Sequence, residues 1–255
     1  MSWELLDWTI LGPAIVAGLL VLSTHVPLGQ EVLKRGIIFI DLAIAQIAGL
    51  GVLTAGVFGW EDNMWAVQIS AVSAALLASA GLSWSEKRWP QLQEPLIGIL
   101  FVLAATGSIL LLAGNPHGAE HMKDLLVGQI LWSTWQSLVH MTLLYAVLLT
   151  AWYKWHDRFS HKGFYVIFAF AVTASVQFVG VYLVFASLII PALATQRLHG
   201  RRRLQTGYIL GAAAYVAGIV LSALFDLPTG AVIVWTMAIL AIAAGSWLGR
   251  NHVDP

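Results

Sequence analysis

The stretch from Phe164 to Thr195, FYVIFAFAVTASVQFVGVYLVFASLIIPALAT, decides how this chain is arranged. It is apolar almost throughout and too long for one ordinary membrane span, which takes about 20 residues. Lys154, Arg158 and Lys162 precede it, and Arg197, Arg201, Arg202 and Arg203 follow it. Short loops rich in Lys and Arg stay cytoplasmic, because carrying cations across a bilayer during insertion is unfavourable. Both ends therefore belong on one side, and the stretch must cross twice or dip in and return. Gln177, Gly180 and Pro191 are the positions where such a segment breaks. Broken backbone at membrane depth is tolerated only where protein or a water-filled cavity covers it. The stretch thus reads as functional rather than as a lipid-facing anchor.

The same charge logic extends outward. Twelve of the 13 Lys and Arg residues fall at Lys34/Arg35, Lys87/Arg88, the two clusters above, and Arg250. The alternate polar breaks, 59–63, 114–124 and 225–230, carry only Lys123. Spans are expected at about 8–24, 37–58, 64–82, 95–113, 134–153, 204–224 and 229–248, besides the broken stretch. The expected fold is an all-α polytopic membrane protein. It has about 8–9 transmembrane helices, one of them broken or re-entrant, in a single domain over residues 1–255.

Composition excludes much else. The chain is 59% hydrophobic and 10% charged, with mean hydropathy +0.80, whereas soluble domains carry about 25% charge. Net charge is zero, which gives no reason to expect nucleic acid as a partner; membrane lipid is the expected surroundings. The absence of cysteine rules out disulfides, thiolate metal sites and Cys nucleophiles. The start, MSWELLD, lacks the basic region and cleavage site of a signal peptide, and its acidic character suits an external N-terminus. The C-terminus is then cytoplasmic. No Gly-rich phosphate loop of the G-x-x-x-x-G-K-[ST] type is present. If ATP drives this protein, another chain hydrolyses it.

Asp41 and Gln46 lie within the second span. An ionisable group inside a span costs about 2.5–3.5 kcal/mol on insertion scales, so it usually faces the bundle interior or a pathway. Asp41 alternatively sits at the cytoplasmic interface, barely one turn past Arg35. His117-Gly-Ala-Glu120-His121 matches H-x-x-E-H, the spacing of an inverted zincin. Asn115-Pro116 and Gly118 favour a loop there. A metallopeptidase, a weak external metal-capturing loop and a solvated loop are the three readings. His140 is the one histidine well inside a span, and His25 lies at a span end before Pro27. The run from Pro191 to Arg203 is either a topogenic basic loop or a short cytoplasmic helix, capped by Gly200, that docks on a partner through its Arg forks.

Three segments together resemble the permease subunits of zinc/manganese-type ABC importers. They are PLGQEVLKRGIIFI from Pro27, DLLVGQIL from Asp124 and QFVGVYLVFASLIIPALAT from Gln177, with Asp226-Leu-Pro-Thr-Gly following. The third is similar to the family's V-G-x-L-L-V-x-A-L-L-I-I-P-A-A-T. The resemblance implies a homodimer in a bacterial inner membrane, with cytoplasmic P-loop ATPase subunits and an external metal-binding protein. It implies alternating access in an importer of zinc or manganese, with no resident cofactor and no covalent chemistry.

The family's second span typically reads G-D-x-[LI]-[AS]-H-[AS]. Here Gln46 stands at the His position, Leu42 at the acid position, and Asp41 one residue earlier. Asp41 and Gln46 are about 140° apart on a helix and do not share a face. Asp41, Gln46 and Gln177 are expected to line the path. Pro191, Thr195, Arg197, Arg201, Arg202 and Arg203 are expected to border the ATPase contact. A stand-alone ion-coupled secondary transporter is the main alternative, but it predicts inverted repeats and several mid-membrane ionisable groups.

Overall fold

The computed structural model describes residues 8–60, 62–112, 118–155 and 161–250. Among them are nine α-helices: α1 (Trp8–Arg35), α2 (Ile40–Val57), α3 (Met64–Arg88), α4 (Gln93–Leu112), α5 (Gly118–Val127), α6 (Trp135–Trp155), α7 (His161–Ala194), α8 (Gly200–Phe225) and α9 (Thr229–Arg250). Six of these are long and apolar enough to cross a membrane: α1, α2, α3, α4, α7 and α8. Large apolar side chains such as Leu77, Leu110, Ile209 and Ile242 point outward. A soluble monomer avoids extensive apolar exposure of this kind, which suits a surface bathed in lipid.

The first helix corrects the expected boundary at residue 24. It continues through Pro27 to Arg35, a further eleven residues. Proline has no N–H, so the carbonyl four residues earlier loses its helical donor. That carbonyl belongs to Ser23, and the hydroxyl of Tyr208 on α8 donates to it at 2.9 Å. A neighbouring helix thus satisfies what the proline leaves open, and α1 carries on. His25 is consequently not at a span end but inside α1 and fully buried, with Nδ1 2.9 Å from the Val21 carbonyl. His140 is the reverse case. It is exposed on α6, with Nδ1 3.1 Å from the Gln136 carbonyl.

The broken stretch folds back as its flanking charges require. Gly180 has φ 75° and ψ 165°, which splits α7 into two limbs. At its start, the Phe164 ring lies 4.3 Å beneath the Arg35 guanidinium at the end of α1. On the returning limb, the Leu188 carbonyl packs directly on Gly29, less than two turns from Arg35. Both ends of the stretch therefore lie at one end of α1. The tip at Gly180 packs against Gly128, just past α5, and Val127 in turn packs against Gly230 at the start of α9. The returning limb, residues 181–194, is about 21 Å long at 1.5 Å per residue. The outgoing limb, residues 161–180, is about 30 Å long by the same measure, so the two limbs are unequal.

Other basic helix ends gather at the same end of the bundle. Arg35 is bonded to Glu31 at 2.9 Å and approaches Glu86 at 4.0 Å, tying α1 to the C-terminal turn of α3 that carries Lys87 and Arg88. Beside it, Gln93 is hydrogen-bonded to Ser85, the Leu82 carbonyl and Tyr165. This buried network joins α3, α4 and the start of α7.

Candidate transport path

Gly49, Gly51 and the alanines of α2 leave room for close neighbours. Gly51 packs on the α3 backbone at Ser70 and Ala71, and Gly49 meets Leu125 of α5. A small-residue helix at a crowded position lets other helices approach. α2 also walls a cavity of about 510 Å³ shared with α4, α5, α7 and α9. Leu42 and Gln46, one turn apart, line it, opposite Val181, Phe185 and Ala186 of the returning limb and Val234 of α9. Gln46 supplies a polar group among these apolar walls.

Asp41 is not there. It is fully buried in the first turn of α2, and no other side chain hydrogen-bonds its carboxylate among the described residues. Only amides of its own turn, at Asp41 and Leu42, face it. A carboxylate in a first helical turn is stabilised by the free N–H groups and the dipole of that end. Glu94 of α4 approaches the same end, facing the Ile38 amide. Neither reading made from the sequence describes Asp41 fully. It is buried rather than interfacial, yet it lies away from the cavity that Gln46 lines.

Gln177 sits in a separate cavity of about 290 Å³ near the α7 tip, with Asp124, Gln129 and Val67. Its amide exchanges hydrogen bonds in both directions with Gln68 of α3. The three expected path residues are therefore not brought together. Gln46 and Gln177 line two cavities on either flank of the returning limb's origin, and Asp41 lines neither. Gln68 and Glu94 went unnoticed in the sequence. The signals available were a polar residue one turn inside a span, at Met64-Trp-Ala-Val-Gln68, and a carboxylate immediately before one, at Gln93-Glu94-Pro95.

The segment after Pro191 does not form the docking helix that was one of its two readings. There is no separate cytoplasmic helix capped by Gly200. Instead α7 runs through Pro191 to Ala194, a turn follows, and Gly200 opens α8. Thr195 is buried, and its hydroxyl donates to the Pro191 carbonyl at 2.7 Å. Arg197 is exposed in the turn, while Arg201, Arg202 and Arg203 form the first turn of α8. Pro191 and Gly200 act as punctuation around a tight link, which sequence alone could not tell from a helix of its own.

His117 lies outside the described residues. Glu120 and His121 belong to α5, but their side chains also lie outside the description. Among the described residues, no group of three or more His, Cys, Asp or Glu is placed to hold a metal ion.

Comparison with known proteins settles the family. A family model described as the ABC 3 transport family matches residues 7–161 and 156–247. The chain belongs to the ABC 3 transport family. It is thus a multi-pass transport subunit and not itself an enzyme, which removes the peptidase reading of the H-x-x-E-H run. The chain is similar to the high-affinity zinc uptake system membrane protein ZnuB of Haemophilus influenzae, at 23% identity over 91% of this chain and 95% of that protein. It is also similar to the manganese transport system membrane protein MntC of Halalkalibacterium halodurans, at 25% identity over 91% of this chain and 85% of that protein. Among solved structures, PsaBC from Streptococcus pneumoniae in complex with Fab superposes with a TM-score of 0.79 at 19% identity, covering 99% of this chain and 100% of that one. This ABC 3 fold is therefore shared across nearly the whole chain.

Proposed function

We propose that the chain is the permease of an ABC importer for a divalent metal ion, zinc or manganese. It works as a homodimer with two cytoplasmic ATPase subunits and an external metal-binding protein, in a bacterial inner membrane. The N-terminus is outside and the C-terminus inside. The observation that carries this reading is Leu42 and Gln46 facing one cavity between α2, the returning limb of α7 and α9, in a chain whose relatives include a zinc uptake protein and a manganese transport protein. The helical face on which the family typically holds an acid and an imidazole is thus turned toward open space. Here it offers one neutral amide. A conduit that binds its ion weakly releases it readily, so capture falls to the external protein. The basic end of the bundle, with Arg197 and Arg201 to Arg203, is the ATPase contact.

The test is uptake of radioactive zinc and manganese into vesicles containing the full complex, with Gln46→His beside the wild type. The substituted imidazole should hold the ion more tightly and slow its release, lowering maximal uptake several-fold. Uptake identical in rate and metal preference would remove Gln46 from the path. Uptake of neither metal by the wild-type complex would overturn the substrate class.

A further inference from the structure

A third cavity, of about 450 Å³, opens at the basic end of the bundle between α1, α6 and α8. Gln30 and Lys34 of α1, Trp152 and Tyr153 of α6, and Arg201 and Arg203 of α8 line it. Three cations therefore face one carboxylate, Glu31, which is already bonded to Arg35 at 2.9 Å. Nε of Arg203 and Nε2 of Gln30 are sealed from solvent, with no hydrogen-bond partner among the described residues. Both are donors that want an acceptor, and a buried donor without one costs roughly 1–3 kcal/mol.

The helix start makes the imbalance sharper. Arg201, Arg202 and Arg203 occupy the first turn of α8, which has no acidic residue and no side-chain cap. Cations at a helix N-terminus oppose its dipole and its free N–H groups. An anion in the cavity would relieve the arginines, the orphaned donors and the helix end together. We propose that this cavity binds the phosphate group of an anionic membrane phospholipid.

Three features favour a lipid over a soluble partner. The cavity runs inward from the helix ends to Pro27, about 10 Å along α1 from Lys34 at 1.5 Å per residue, a depth that a lipid headgroup fills and a protein docked on those ends does not. It opens beside Tyr153, which is exposed on the outer surface of α6. Trp and Tyr are the residues that settle at headgroup depth, and basic pockets between helices at the cytoplasmic face suit anionic headgroups.

The experiment uses the purified permease alone, so it does not depend on the transport reading. Native mass spectrometry follows retention of phosphatidylglycerol, phosphatidylcholine and inorganic phosphate, each added separately. Phosphatidylglycerol should be retained well above phosphatidylcholine. Each cation near the surface is worth about fivefold, so Lys34→Gln/Arg203→Gln should retain about 25-fold less, while Lys87→Gln/Arg88→Gln retains it fully. Gln30→Glu keeps the side-chain shape and places an internal carboxylate among the donors. It should displace the lipid without unfolding the bundle. Equal retention of the two lipids, or unchanged retention in both cavity variants, overturns the proposal. Inorganic phosphate held at the site without lipid retention overturns the lipid source.

Discussion

At the scale of single residues, the helix is kept whole by partners that sequence does not display. Nothing in Ser23-Thr-His-Val-Pro27 says that a tyrosine 185 positions later will donate to the Ser23 carbonyl. Proline is ordinarily a helix boundary, so the first span was expected to end early. Tyr208→Phe removes only that hydroxyl. It should lower stability by about 1 kcal/mol, read as a drop in the melting temperature of the detergent-solubilised protein. Asp41 was legible as unusual but not as lying away from the cavity, because a buried carboxylate and a path-lining one look alike in a sequence. Its place in the first turn of α2 separates the two roles. Asp41→Asn should weaken the α2 start and leave the metal preference of uptake unchanged. A change in preference with normal stability would return it to the path.

At the scale of elements, the flanking charges made the fold-back of α7 readable, and Gly180 made its position readable. The conformation at Gly180 lies in a region that only glycine occupies comfortably. A Cβ there would also overlap the backbone of Gly128. Gly180→Ala should cost about 1–3 kcal/mol from strain alone and abolish uptake before it abolishes membrane insertion, which a vesicle assay and an insertion assay distinguish. What sequence could not supply was the contact between two loops, since Gly128 and Gly180 are far apart in the chain. The same holds for Gln68 and Gln177, whose reciprocal amide bonds join helices that no local pattern pairs. Gly29→Ala would drive a methyl into the Leu188 carbonyl. It should part the returning limb from α1 and lower the melting temperature of the detergent-solubilised protein.

At the scale of the whole molecule, the orientation reading is open to a clean experiment because the chain contains no cysteine. Single cysteines placed at Arg88 and Arg197 should react with a membrane-impermeant thiol reagent from the same side, and one at Asn63 from the other. Opposite labelling of Arg88 and Arg197 would mean that the stretch between them does not return. Replacing Arg201, Arg202 and Arg203 by Glu should uncouple ATPase stimulation in the assembled complex while the permease still inserts. Unchanged transport would remove α8's first turn from the ATPase contact. The overall architecture was legible because the bilayer reduces the choices to helices and charge sides. The cavities were not, because each is built by three to five elements that are distant in sequence.

The nested glycines at the tip of α7 carry one more consequence. With its tip held backbone to backbone, the returning limb behaves as a lever whose fulcrum is Gly180. The fourteen residues of this arm measure about 21 Å, and Phe185, on the cavity wall, lies roughly a third of the way along. A sideways shift at Ala194 would therefore be about three times larger than the shift at Phe185. Val181, beside the fulcrum, would scarcely move, whereas Ile190, also on the wall, would travel most of the distance. One stroke would thus move the cavity wall most at its basic end and least beside Gly180.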